Sequence, residues 1–183
     1  MEIFGVSVSS EDPTSRLRQL LGEIKVIIFT IDGVFTDGQI SYSESGEEVR
    51  TFHARDGFAI QEALAKGMNI AVVSERESKA ARKRLEEIGV TDITMGVKDK
   101  MPTYEAIKAR YGVSDAECVY IGDDVMDLPL FEKVGVSITP LNGVEYLRNR
   151  VYYVSGYEGG KGCVRDVIEM VLAIQGKWKY YEM

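Results

Sequence analysis

The sequence predicts an α/β protein whose sheet is mostly parallel and covered by helices on both faces. Apolar runs of strand length alternate with segments of helical period, glycines follow several of the helical segments, and one segment breaks the alternation with two short extended stretches around a turn. Strand–helix alternation implies right-handed crossovers and hence a parallel sheet. The series opens with "KVIIF" (25–29), then "GFAIQEALAKG" (57–67), "NIAVV" (69–73), "SKAARKRLEEIG" (78–89), "DITMG" (92–96) and "PTYEAIKARYG" (102–112). It continues with "CVYIG" (118–122), "LPLFEKVG" (128–135), "VSIT" (136–139), "GVEYLRN" (143–149), "VYYV" (151–154) and "CVRDVIEMVLAIQ" (163–175). Gly67, Gly89 and Gly112 stand where a left-handed residue ends a helix at little cost.

The exception is "GQISYSESGEEVRTFHARDG", Gly38 to Gly57. Its extended stretches at 39–43 and 49–53 flank the turn-prone "ESGEE" and read as an inserted β-hairpin. A lone hairpin is marginal and offers unpaired edges, so it should fold over the site or pair with another subunit. Upstream, "TSRLRQLLGE" has the pattern of a short helix with no assignable role.

A chain of 183 residues is most simply one domain, able to bury about two thirds of its unfolded surface without disulfides or a structural metal. Hydrophobic residues at 45% and charged residues at 28% fit a globular protein, and no apolar run reaches the length of a membrane span. The net charge of −7 argues against a general nucleic-acid surface, while a local cationic pocket for a small anion stays open. Without a secretory signal or lipidation motif, the expected location is the cytoplasm. Cys118 and Cys163 lack C-x-x-C spacing and read as reduced, buried thiols. His53, the only histidine, reads as structural or interfacial.

In an open parallel sheet, ligands bind beyond the carboxyl ends of the strands. The polar residues expected there are Thr30 and Asp32, Ser74, Glu75 and Arg76, Lys100, and Asp123, Asp124 and Asp127. A hydroxyl, a lysine and clustered carboxylates suit phosphate and Mg²⁺, which prefers hard oxygen ligands. Taken alone, "GDDVMD" (122–127) reads equally as a metal site or as a solvated turn capping a helix. Beside "TIDGVFTDG" the metal reading gains.

Four stretches in this order, "FTIDGVFTDG" (29–38), "VVSERES" (72–78), "VKDK" (97–100) and "YIGDDVMD" (120–127), resemble the signature motifs of the haloacid dehalogenase superfamily of phosphatases. The hairpin, "FHARDG" (52–57) and the tail "GYEGGKGCVRDVIEMVLAIQGKW" (156–178) are similar to its small, capless branch, which contains 3-deoxy-D-manno-octulosonate 8-phosphate phosphatase and phosphatases of nine-carbon keto-acid sugars. The resemblance implies a three-layer sandwich without a cap domain. Residues 1–23 become an extension and 24–178 the core, carrying a hairpin over 38–54 and a tail over 156–183.

The resemblance further implies hydrolysis of a phosphorylated keto-acid sugar with one Mg²⁺ per subunit. Asp32 would be the general acid and then the base, its carbonyl touching the metal. Asp123 would be the direct carboxylate ligand, with Asp124 and Asp127 supporting it or its waters. Ser74 would hydrogen-bond the phosphoryl group, and Lys100 would neutralise its charge. Arg55 and Arg76 correspond to positions that meet the acid sugar. "GGKG" (159–162), with Lys161, resembles a flexible tail closing over a neighbouring subunit's site; by itself it reads as an ordinary mobile loop. The hairpin implies a homotetramer.

The chain departs from the family's D-x-D-G motif at its first position, the nucleophile and a metal ligand, which here is Thr30. A threonine hydroxyl is a poor nucleophile without a base and brings no charge to a metal. Three readings stay open: a substitution introduced into an active enzyme, a protein that has given up hydrolysis for acid-sugar binding or assembly, or a nucleophilic role taken over by Thr30 or a water. The intact remainder favours a phosphatase lineage. Glu75 also departs, standing where the octulosonate enzymes tend to have glycine.

Overall fold

The computed structural model describes residues 2–3, 6–7 and 13–180. Two short strands, β1 (Glu2–Ile3) and β2 (Val6–Ser7), pair antiparallel ahead of α1 (Pro13–Gly22). The helix expected near residues 14–23 therefore exists, and it packs on the C-terminal helix α7 (Cys163–Ile174). The last three residues of the expected tail, 181–183, lie outside the described residues, as does Tyr181 among the tyrosines.

The main sheet has six strands: β3 (Val26–Phe29), β6 (Asn69–Val73), β7 (Asp92–Thr94), β8 (Cys118–Ile121), β9 (Val136–Thr139) and β10 (Tyr153–Val154). Their order is β10-β9-β8-β3-β6-β7, and every neighbouring pair is parallel. Such strands read as continuous apolar runs because both faces are buried. Within β3, Ile27 and Phe29 face the core under α1, α2 (Ala54–Ala65) and α7, whereas Val26 and Ile28 join the opposite core with Tyr104 and Ile107 of α4 (Met101–Tyr111). α3 (Lys79–Glu87) adds Ala81 and Leu85 to the first core.

Helix ends follow local chemistry. The His53 imidazole accepts from the Arg55 N–H at 3.3 Å and caps α2, so the only histidine is structural. Ser78 caps α3 through the Ala81 N–H. The helix expected over 128–135 is reduced to a 3₁₀ turn at 125–127 followed by α5 (Leu128–Phe131), and the next, α6 (Glu145–Arg148), is a single turn. Both cysteines are buried free thiols. Among the described residues no helix is long and apolar enough to cross a membrane.

The hairpin forms at β4 (Ser41–Tyr42) and β5 (Glu48–Val49), only two residues per strand, and α2 follows it directly. Ile40, Tyr42 and Val49 are exposed on it.

The glycines of the tail have a different reason from the mobility expected of them. The Gly160 N–H donates to the Val34 carbonyl at 2.9 Å, and a Cβ on Gly159 would overlap the Gly33 carbonyl. The tail thus lies against the chain's own turn, with glycine needed for backbone approach. Gly159→Ala is expected to cost about 1–3 kcal/mol, the usual penalty of overpacking. Urea unfolding checks this; an unchanged midpoint would mean that the tail is not held there.

Candidate active site

β3 pairs with β6 and β8 in register, Phe29 opposite both Val72 and Ile121, so all three strands end at one edge. β3 is also where the connections turn from one side of the sheet to the other, the usual location of a ligand crevice. Of the eleven expected positions, nine line one cavity of about 250 Å³ at this edge: Thr30, Asp32, Ser74, Glu75, Arg76, Lys100, Asp123, Asp124 and Asp127. Arg55 and Lys161 do not. They border a second cavity, of about 440 Å³, with Tyr157, Arg165 and Glu169.

Thr30 is buried, its N–H donating to the Ile121 carbonyl at 3.1 Å. The chain then makes a tight turn over Ile31–Phe35, closed by the Thr36 N–H on the Ile31 carbonyl. Gly33 sits in the left-handed region at φ 79°, and a Cβ there would overlap the Asp123 carboxylate. Glycine therefore allows the turn carrying Asp32 to close on Asp123. Ser74 is buried at the end of β6, its N–H on the Thr94 carbonyl and its own carbonyl accepting from Val97.

Asp127 is 2% exposed and accepts from four donors: Lys100 Nζ and Tyr120 Oη, each at 2.6 Å, and the N–H groups of Asp123 (2.9 Å) and Asp124 (3.3 Å). It fixes the lysine and shapes the 122–124 turn. Asp124 caps the Val125 N–H at 2.7 Å. Asp123, the third, lines the cavity with its carboxylate against Gly33. Burial first, then the like charges of Asp127 and Asp124, push its carboxyl up to about 7.

The donor set fits a divalent cation. Five carboxylates line the cavity against the cations Arg76 and Lys100, and Glu75 Oε1 is a buried oxygen without a hydrogen-bond donor. Among the described residues no three carboxylate, imidazole or thiol groups already converge on one point. A hard ion completing its shell with waters and backbone carbonyl suits such a set.

Asp123 gives this reading a pH signature. Its folded-state pKa lies above the ordinary 3.8, so the metal-free fold holds a proton that the unfolded chain has released. Metal-free stability should fall as pH rises from about 4 through about 7. In chelator, the melting temperature is expected to be lower near pH ~8 than near pH ~5.5, with the difference reduced in Asp123→Asn. Added Mg²⁺ should raise it more at the higher pH, where no proton competes. Equal Mg²⁺ shifts at both would contradict the assignment.

Asp32 is not free. Arg50, whose side chain has no exposed surface, lies with Nη1 2.7 Å from Asp32 Oδ1 and Nε 2.9 Å from Glu48 Oε1. Arg76, expected to meet the acid sugar, pairs with Glu48 at 3.2 Å and stands 3.6 Å from Asp32. Ser78 donates to Glu48 at 2.6 Å. Hydrogen bonding from Arg50, reinforced by Ser78 and Arg76, holds the Glu48 carboxyl down at about 2. The hairpin is thereby tied to the site through Arg50 and Glu48, neither of which stood out in the sequence. Their only advance sign was charge at the end of a strand with an alternating pattern.

Comparisons with known proteins agree with this architecture. The profile of the haloacid dehalogenase-like hydrolases matches residues 89–166. The chain is 35% identical over 166 residues to the 3-deoxy-D-manno-octulosonate 8-phosphate phosphatase of Haemophilus influenzae, covering 91% of this chain and 92% of that one. The solved cobalt-bound form of the Haemophilus influenzae phosphatase superposes with a TM-score of 0.85 at 35% identity, covering 90% of this chain and 96% of that one. The Moraxella catarrhalis phosphatase, solved with magnesium, phosphate and a KDO molecule, superposes with a TM-score of 0.86 at 31% identity, covering 91% and 95%.

Proposed function

We propose, because the chain belongs to the 3-deoxy-D-manno-octulosonate 8-phosphate phosphatase family of haloacid dehalogenase-like hydrolases, that its cavity takes a phosphorylated keto-acid sugar together with Mg²⁺. The sugar is 3-deoxy-D-manno-octulosonate 8-phosphate in the first instance, with nine-carbon relatives as the nearest alternative. The observation that carries this reading is the meeting of Thr30, Asp32, Ser74, Lys100 and Asp123 in one cavity at the carboxyl edge of the sheet.

Mg²⁺, when bound, neutralises and orients the phosphoryl oxygens. The Asp123 carboxylate and the Asp32 carbonyl would hold it, supported by Asp124 and Asp127. Ser74 donates to a phosphoryl oxygen, and Lys100, aligned by Asp127, offsets the charge of the group. Asp32 carries a proton to the leaving sugar oxygen and later takes one from water. Arg76 meets the sugar carboxylate after exchanging Glu48 for it, and Arg55 and Lys161 extend the anion-binding surface from the second cavity.

Thr30 makes this chain a slow catalyst. Its hydroxyl occupies the nucleophile position, and the base two residues on, Asp32, is engaged by Arg50. That engagement supports a second reading, a silent acid-sugar-binding protein. The hairpin, with Tyr42 and Val49 exposed, would serve a cytoplasmic homotetramer in either case.

Calorimetric titration of eight- and nine-carbon keto-acid sugar phosphates into the Mg²⁺-loaded chain tests the shared part. Binding that weakens in Lys100→Ala is expected; absence of binding by every sugar phosphate would overturn it.

A further inference from the structure

The cavity holds more negative charge than its own cations balance, and one of its carboxylates has no evident task. Asp127 is saturated by four donors, Asp124 caps a turn, Asp32 faces Arg50 and Arg76, and Asp123 lines the cavity against the Gly33 turn. Glu75 differs from all four. Its Oε1 is buried and accepts no hydrogen bond, and Lys100 Nζ, its salt-bridge partner, is 3.8 Å away and already 2.6 Å from Asp127. A carboxylate oxygen taken out of water without a donor is unfavourable unless a cation completes it.

Position and chemistry connect Glu75 to Thr30. β3 and β6 are adjacent and in register, so both residues leave the sheet at the same edge and line the same cavity. Thr30 contributes a neutral hydroxyl on one strand where Glu75 contributes a charge on the next. We propose that Glu75 supplies to the divalent cation the carboxylate that Thr30 does not, swinging from Lys100 on its two-methylene stem to do so. This rests on the cation reading of the site above. It separates Glu75 from a mere counterion of Lys100, since Asp127 already fills that role more closely.

The test is calorimetric titration of Mg²⁺ alone into the full chain, Glu75→Gln, Asp123→Asn and Thr30→Asp/Glu75→Gln, with melting curves in chelator. Loss of even an outer-shell partner of a metal ligand weakens metal binding about 10–100-fold, which sets the least loss expected of a direct carboxylate. Glu75→Gln should lose at least that much while melting at or above the native chain without metal, because it removes one of several crowded anions. The double variant should regain Mg²⁺ affinity. Native-like Mg²⁺ affinity in Glu75→Gln, with binding lost in Asp123→Asn, would overturn this inference alone. No Mg²⁺ binding by the native chain would overturn the cation reading with it. Should Glu75→Gln fail to fold, Glu75→Asp decides: the shortened carboxylate loses Mg²⁺ affinity if it is a ligand and keeps it if it only balances Lys100.

Discussion

Asp127→Ala is expected to destabilise the metal-free protein by about 3–5 kcal/mol, the range seen when one partner of a buried ion pair is removed. Asp127 is buried and receives Lys100, the Tyr120 hydroxyl and two backbone N–H groups, so its loss takes an acceptor from four donors at once. Lys100, whose side chain is 5% exposed, would keep only the Tyr120 hydroxyl at 3.3 Å and Glu75 at 3.8 Å. Burial raises the Tyr120 hydroxyl pKa well above its ordinary value, so it stays a donor and cannot ionise to relieve the gap. Urea unfolding of both proteins at neutral pH checks the figure. A loss below about 1 kcal/mol would mean that water replaces the carboxylate and that Lys100 is not held by it.

Thr30→Asp is expected to raise the rate of phosphate release by at least ~10³-fold, about 4 kcal/mol of barrier. The substitution restores a carboxylate nucleophile at a buried strand end that faces Lys100 and Asp123 across the cavity. It also adds an anion to a pocket already rich in them. Without metal, the variant should therefore melt below the native chain, and Mg²⁺ should more than recover the difference. A variant that binds Mg²⁺ normally and still fails to release phosphate would show that Arg50 on Asp32, rather than Thr30, limits the chemistry.

The sheet and its order of elements were legible because parallel strands buried on both faces are continuous apolar runs, and "KVIIF", "NIAVV" and "CVYIG" are such runs. The edge where Thr30, Ser74 and Asp123 meet follows from that topology alone. Short helices were overestimated near residues 128–135, where Pro129 and the Asp124 cap tighten the chain into one turn after another. Arg50 and Glu48 were not legible, since their importance depends on the hairpin folding back over Asp32, a long-range contact with no local pattern. The same holds for Asp127. Three carboxylates spaced like metal ligands look alike in sequence, but only the fold aims Lys100 and Tyr120 at one of them. The close backbone approach of Gly159 to Gly33 and of Gly160 to Thr36 and Asp37 was not legible either, since it too is a long-range contact.

In the proposed function this cavity is a phosphomonoester site for keto-acid sugars whose chemistry is held back by Thr30. That function is tested most directly by phosphate release from eight- and nine-carbon keto-acid sugar phosphates with Mg²⁺, measured in parallel on the native chain and on Thr30→Asp. Fast release by the restored variant, with 3-deoxy-D-manno-octulosonate 8-phosphate preferred, and slow release by the native chain are expected. Equal rates from both proteins, or no release from any sugar by either, would contradict it.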